Sequence, residues 1–376
     1  MGDSSAAIRL NPFKGADGPQ GTAVPWSPWG RMLEERPVFT LDPLLHAGCY
    51  YVQDSSAMFP GHVFRSCLEA FDAPLRVLDL CAAPGGKTTD LAASLRERFP
   101  EGFLLVSNEV IRSRAAVLCD NVSVWGDPAV VVTSVDPAAF ATLGGFFDII
   151  VADVPCSGEG MFRKDPRARE EWSPAVVDLC AARQKRILSD VWPALRRGGM
   201  LVYSTCTYED AENDSNLEWA ALELGGDIIA PADEFGLPRT RCGHLLRAGD
   251  VPGEGQWAGC LLKTSASAPA AGREALGRLH PLRDGVPKGE MKGKDFVPSA
   301  DYALSYDYGH EWPEVEVDLK TALRFLHRDS FPIEGAAPGY NLLTYRSHPL
   351  GFVKNIGKRC NNLHPLSRRI LMNIPL

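Results

Sequence analysis

From Arg76 to Ser204 the chain repeats one pattern: a short apolar run, a turn, then a stretch long enough for a helix. Apolar runs at Arg76–Leu80, Phe103–Ser107, Ala129–Val132, Phe147–Ala152 and Gly199–Ser204 read as strands. Lys87–Arg98, Arg112–Val122 and Pro174–Leu195 read as helices. Strands alternating with helices at this spacing predict an α/β fold with a mostly parallel, doubly wound sheet covered on both faces.

The rest of the chain is less regular. With 376 residues it has room for one large domain and a smaller one. The first 45 residues are rich in Gly, Pro and Trp and show no period. They read as an extended strap over a neighbouring surface, because Trp26 and Trp29 beside prolines would not be left in water. The main domain is then expected over 46–264. Residues 265–300, with their Ala, Ser, Pro, Gly and Lys, read as a linker, and short strands and turns over 301–376 suggest the small second domain.

Bulk composition narrows the class. Hydrophobic residues make up 45% and charged residues 23%, as in an ordinary globular protein. No apolar run reaches the length of a bilayer span, and Met1–Gly18 lacks the pattern of a secretory leader. The ten cysteines show no C-x-x-C pair or zinc-type spacing, so no metal is expected and a reducing cytoplasm is the natural setting. The formal charge is −8, but Tyr340–Leu376 has six cations and no acid, which leaves −14 on the remainder. An acidic body with a basic tail argues against general coating of nucleic acid and for a local contact.

In doubly wound sheets ligands sit at the carboxyl ends of the strands. After the first strand comes Cys81-Ala82-Ala83-Pro84-Gly85-Gly86-Lys87-Thr88, whose small residues let a ligand approach the backbone. The spacing is neither G-x-G-x-x-G nor a P-loop, so a nucleoside or amino-acid cradle is favoured over a phosphate cradle. Glu109 after the second strand is placed to accept from ribose hydroxyls, and Asp136 after the third to meet an adenine amino group. Either acid alone could be a loop or cap residue. Three consecutive strand ends furnished in this way point to S-adenosylmethionine.

The fourth and fifth strands run into Asp153-Val154-Pro155-Cys156 and Ser204-Thr205-Cys206-Thr207. A lone cysteine there would be packing. Two on neighbouring strand ends, behind Asp-x-Pro and Ser-Thr, form a candidate site. These segments, with Cys81–Thr88, Met161–Pro166 and His46–Met58, resemble the signature set of the Nop/Sun family of RNA 5-methylcytosine methyltransferases. The tail, with Leu350-Gly351-Phe352 and Lys358-Arg359, is similar to the PUA-like tail of the bacterial RsmF branch.

The resemblance implies a Rossmann-like class I S-adenosylmethionine-dependent methyltransferase domain with a small C-terminal PUA-like domain. It also implies Cys206 as the nucleophile, Cys156 as the residue that assists product release, and Asp153 as a contact to the base and the cofactor. The chemistry is consistent: a thiolate added at carbon 6 of cytosine turns carbon 5 into an enamine carbon able to take a methyl group. Ala82, Ala83, Pro84, Gly85, Gly86, Lys87, Glu109 and Asp136 would hold the cofactor, with a helix-start cation as the alternative reading of Lys87. The target base must be unpaired or flipped out. Arg163, Lys164, Arg167 and Arg169 follow Cys156 and either hold neighbouring phosphates or form a solvated charged loop. Arg346, Lys354, Lys358, Arg359, Arg368 and Arg369 are expected to grip RNA backbone in a salt-sensitive way.

Some positions depart from the family pattern. Val154 replaces a usual Ala, Pro25-Trp26-Ser27-Pro28 replaces P-W-C-P, and Cys360-Asn361-Asn362 changes the tail. Relatives usually carry a helical segment before Ile8-Arg9-Leu10-Asn11-Pro12, which here lies near residue 1. The expected substrate is small-subunit ribosomal RNA, with transfer RNA second and a monomer as the default state. Two other readings compete: a DNA cytosine methyltransferase, which would use Cys156 and have no need of Cys206, and a catalytically silent RNA-binding assembly factor.

Overall fold

A computed structural model describes residues 6–374 apart from Ala16, Lys164, Asp165, Pro231 and Asp233. The first residues form a sheet, not a strap. Strands β1 (Ala7–Leu10), β2 (Thr22–Ala23) and β3 (Gly30–Met32), then the helical turn α1 (Pro43–His46) and β4 (Tyr50–Val52), build an antiparallel sheet of order β2-β3-β1-β4. Trp26 and Trp29 are buried as expected. Because β4 closes this sheet, the expected boundary at 45/46 cuts through one unit.

Helix α2 (Phe59–Leu68) leads into the alternating region: β5 (Leu75–Asp79), α3 (Gly86–Arg98), β6 (Phe103–Asn108), α4 (Arg112–Trp125), β7 (Val130–Thr133) and β8 (Phe147–Asp153). Then follow α5 (Pro166–Glu171), α6 (Pro174–Val191), β9 (Leu195–Thr205), α7 (Asp214–Leu224), β10 (Gly226–Ile229), β11 (Gly243–Arg247) and β12 (Gly255–Lys263). The strand order is β10-β12-β9-β8-β5-β6-β7, with β11 also on β12. Strands β5 to β9 are parallel, while β10, β11 and β12 supply an antiparallel edge. The parallel strands bury both faces. Val77, Leu105, Val130 and Ile149 pack towards α3 and α4, whereas Leu78, Val106, Val131 and Ile150 pack towards α6 and α7. That double burial explains why their sequences read as unbroken apolar runs. From β5 the chain moves to β6 on one side and returns through β8 on the other, which opens a crevice at their carboxyl ends.

Residues 265–300 do not form a loose linker. Ala275, Leu276 and Leu279 are buried in the core. Arg283 pairs with Val132 along the free edge of β7 and donates from its guanidinium to the carbonyls of Val130 and Asp127. Covering this edge protects a row of otherwise open backbone groups. A hairpin of β13 (Gly289–Lys292) and β14 (Asp295–Pro298) and the short α8 (Ala300–Leu304) follow. The C-terminal part is a sheet of β15 (Glu314–Glu316), β16 (Gly339–Tyr345), β17 (His348–Asn355) and β18 (Cys360–Asn362), packed on α9 (Leu319–Leu326). Among the described residues no helix is long and apolar enough to cross a membrane.

Arg368 departs from the expectation that it grips RNA. It is largely buried, 2.8 Å from Asp120 of α4 and 2.5 Å from Asp301 of α8. A guanidinium held by two carboxylates staples the tail to the main domain and is not offered to phosphate. Lys354 is likewise engaged, paired with Asp295 and lying over the Tyr340 ring.

Candidate active site

The cradle begins where β5 ends. Gly85 has φ of +115°, a conformation open to a residue without Cβ, and it turns the chain into α3. The entry to α3 is held by Arg9, which is fully buried and donates to Gln53, to the Gly86 carbonyl and to Thr89. The sequence reading missed this residue, although a charge inside the apolar Ile8-Arg9-Leu10 strand is its signal. Asn108 ties three strand ends together, donating to the Leu80 and Val135 carbonyls and accepting from Thr133.

Glu109 lies buried beside the cradle, accepts from the Ile111 amide at 3.0 Å and faces Arg114 at 3.4 Å. Asp136 stands at the third strand end, but its contacts are those of a cap: it accepts from the Ala138 amide at 3.0 Å and pairs with Arg186 at 3.6 Å. Asp79, not singled out from sequence, is wholly buried at the end of β5. Its Oδ2 accepts from Thr88 at 2.6 Å, while Oδ1 has no hydrogen-bond partner among the described residues. Burial pushes its carboxyl up to about 7.

The expected trio of Asp153, Cys156 and Cys206 does come together. Gly160 donates its amide to the Cys206 carbonyl at 2.8 Å, and a Cβ at Gly160 would stand 2.8 Å from that oxygen. Ser157 and Thr207 share a hydrogen bond of 2.9 Å. Glu159 accepts from Thr207 and from the Tyr208 amide, and the buried Glu212 accepts from the Ser157 amide and Gln184. These bonds stitch the loop after β8 to the loop after β9 and leave the Cys156 and Cys206 sulfurs 3.2 Å apart, unbonded. The hydrogen bond shared with Cys156 lowers the Cys206 pKa, against the opposing effects of burial and the Asp153 carboxylate and with help from the Lys87 charge. The same bond, and then burial, push the Cys156 thiol up. The contact thus pushes the two thiols in opposite directions and favours Cys206 as the more readily ionised sulfur.

Lys87 is more than a helix-start cation. Its Nζ lies 2.8 Å from Asp153 Oδ2. Burial opposes the ammonium, but the Asp153 carboxylate outweighs it and holds the Lys87 pKa above its ordinary value. The other Asp153 oxygen, Oδ1, accepts from Ser204 at 2.7 Å and from Gln256 at 3.0 Å. Gln256, on β12, was also missed; nothing in its local sequence links it to Asp153.

Of the expected RNA contacts, Arg163 is half-exposed and 3.6 Å from Glu254, and Arg169 lies over the Phe162 ring. Lys164 lies outside the described residues. Lys358, Arg359 and Arg369 are exposed and have no ion-pair partner among the described residues.

Comparison with known proteins agrees with this geometry. Residues 68–223 match the family model of the 16S rRNA methyltransferase RsmB/F, and residues 313–370 match the methyltransferase RsmF PUA domain. The chain is 30% identical to the ribosomal RNA small subunit methyltransferase F of Salmonella newport, over 92% of this chain and 84% of that protein. With the protein of the same name from Escherichia coli O157:H7 it is 40% identical over 53% of this chain, and that match spans 41% of the relative's length. Among solved structures, a methyltransferase homologue from Pyrococcus horikoshii superposes with a TM-score of 0.59 at 25% identity, over 70% of this chain and 87% of that one.

Proposed function

The chain belongs to the ribosomal RNA small subunit methyltransferase F family, and on that premise we propose that it methylates carbon 5 of a cytosine in small-subunit ribosomal RNA, with S-adenosylmethionine as cofactor and Cys206 as nucleophile. The observation that carries this reading is the sulfur pair, with Cys156 and Cys206 3.2 Å apart at neighbouring strand ends.

The residues present fit the cofactor. Asp79 Oδ1 is a buried acceptor with no partner among the described residues, and the Ala82–Gly86 turn offers backbone with little side-chain cover. A cationic ligand bearing hydroxyl donors satisfies such a cradle, with Glu109 accepting from the hydroxyls. When bound, S-adenosylmethionine supplies an electrophilic methyl group. The protein does the rest. The Cys206 thiolate adds to carbon 6, and the electron pair displaced from the ring double bond makes carbon 5 the nucleophile. Asp153 and Lys87 meet the pairing edge of the flipped base as an acceptor and a donor. After methyl transfer the carbon 5 proton passes to solvent water as base, the electron pair of that C–H bond re-forms the 5,6 double bond, and the C6–S bond breaks to expel Cys206 as thiolate. Cys156, already hydrogen-bonded to that sulfur, assists the release.

Exposed Lys358, Arg359 and Arg369, with Arg163 near the site, would hold the RNA backbone. We take the enzyme to act on ribosomal RNA in the cytoplasm, as a monomer. The test is methyl transfer from labelled S-adenosylmethionine to small subunits of a strain lacking the gene, followed by bisulfite mapping. One restored 5-methylcytosine in the small-subunit RNA is expected. Label appearing in transfer RNA instead would move the substrate assignment.

A further inference from the structure

The geometry points to Gln256 as a positioning residue that fixes how Asp153 faces the base, an inference that rests on the reading of Cys206 above. Strand β12 runs antiparallel to β9, with Trp257 opposite Thr205, so Gln256 sits beside the Cys206 loop. Its side chain is buried, and its Nε2 donates to Asp153 Oδ1 at 3.0 Å. A primary amide inside a strand whose neighbours are Trp257 and Ala258 needs such a partner, because an unpaired buried amide is costly.

An ionised carboxylate has about four acceptor positions. Here Ser204 and Gln256 take those on Oδ1, and Lys87 takes one on Oδ2. Ser204 and the flexible Lys87 side chain would hold one oxygen each and still let the carboxylate tilt about its Cβ–Cγ bond. A second donor from a different strand fixes its plane and leaves one acceptor position, on Oδ2, for the base. Cytosine presents an exocyclic N–H donor at carbon 4, where uracil presents a carbonyl oxygen. A fixed acceptor therefore admits cytosine and repels uracil. Gln256 acts through Asp153 and sets both the rate of Cys206 addition and the preference for cytosine.

The experiment uses the full chain with small-subunit RNA fragments carrying 5-fluorocytosine or 5-fluorouracil and S-adenosylmethionine, and follows the covalent adduct on denaturing gels. Gln256→Met keeps the shape and removes the donor. It is expected to slow adduct formation with 5-fluorocytosine at least tenfold, to reduce the preference over 5-fluorouracil to a similar degree, and to leave cofactor affinity by calorimetry unchanged. Gln256→Glu sets two carboxylates against each other, and a shared proton lets one act as donor. Its adduct formation should recover as pH falls, a rescue that a merely structural role would not give. Wild-type adduct rates and selectivity in Gln256→Met overturn the inference, as does a loss of cofactor affinity in step with rate. If the wild-type chain forms no Cys206 adduct, the reading of the reaction itself falls, and the inference with it.

Discussion

The sulfurs of Cys156 and Cys206 lie 3.2 Å apart. That contact lowers the pKa of Cys206 and raises that of Cys156, in line with the two roles expected of them. Cys206→Ala removes the attacking sulfur and is expected to abolish methylation and adduct formation. Cys156→Ala leaves the attack possible and impairs release, so a protein–RNA adduct should accumulate and survive a denaturing gel. The lost hydrogen bond also raises the Cys206 pKa, so adduct formation should shift to higher pH. An adduct in Cys206→Ala but not in Cys156→Ala would reverse the assignment.

Lys87 joins the cofactor turn to the catalytic loop through its 2.8 Å contact with Asp153. Lys87→Met strips Asp153 Oδ2 of its partner and removes a charge that favours the Cys206 thiolate. Loss of a charge-assisted bond in this partly buried setting is worth about 1–3 kcal/mol, so kcat should fall roughly 5- to 150-fold. The alkaline shift of the rate profile should appear here too. A fall in cofactor affinity with unchanged kcat would assign Lys87 to binding instead.

Asp79 makes the empty fold sensitive to pH. Its carboxyl is raised from the ordinary 3.8 to about 7 by burial, so the folded state holds its proton more tightly than the unfolded chain. That contribution is complete below about pH 4 and is lost as pH rises through 7. The ligand-free protein should therefore lose melting temperature progressively between about pH 4 and pH 7, and little above that, relative to Asp79→Asn. A cationic cofactor favours the ionised carboxylate, so the melting-temperature gain from S-adenosylmethionine should be larger at about pH 8 than at about pH 6. Equal gains at both values would show that Asp79 does not sense the ligand's charge.

What was legible in the sequence follows from how far each feature reaches. The parallel strands declare themselves because both of their faces are buried, so Val77 and Leu78 are apolar alike. Cys156 and Cys206 were legible because each follows such a strand. Features that depend on distant partners were not. Arg9 meets Thr89 of α3, Gln256 meets Asp153, and Arg283 reaches the Asp127 and Val130 carbonyls, and no local pattern encodes those meetings. The composition of 265–300 suggested a loose linker because a packed strap needs only a few apolar anchors, here Ala275, Leu276 and Leu279. The basic tail misled in the same way, since the acids that neutralise Arg368 come from α4 and α8.

That difference within the tail can be measured. Arg368 is a largely buried cation between Asp120 and Asp301, so Arg368→Ala leaves two carboxylates facing each other without it. Breaking such a pair costs up to about 3–5 kcal/mol when fully buried, and about half that here because both acids are partly exposed. The expected result is a clear drop in melting temperature, with no change in the salt slope of RNA binding for the protein that remains folded. Lys358 and Arg359 are exposed. Lys358→Ala with Arg359→Ala should leave the melting temperature within about 1 °C, weaken RNA binding, and flatten the dependence of log K on log salt by about 0.7–0.9 per cation removed. Filter binding across a salt series, alongside thermal melts of both variants, checks the two halves together. A flattened slope in Arg368→Ala would return that residue to the RNA surface, and an unchanged slope in the double variant would remove Lys358 and Arg359 from it.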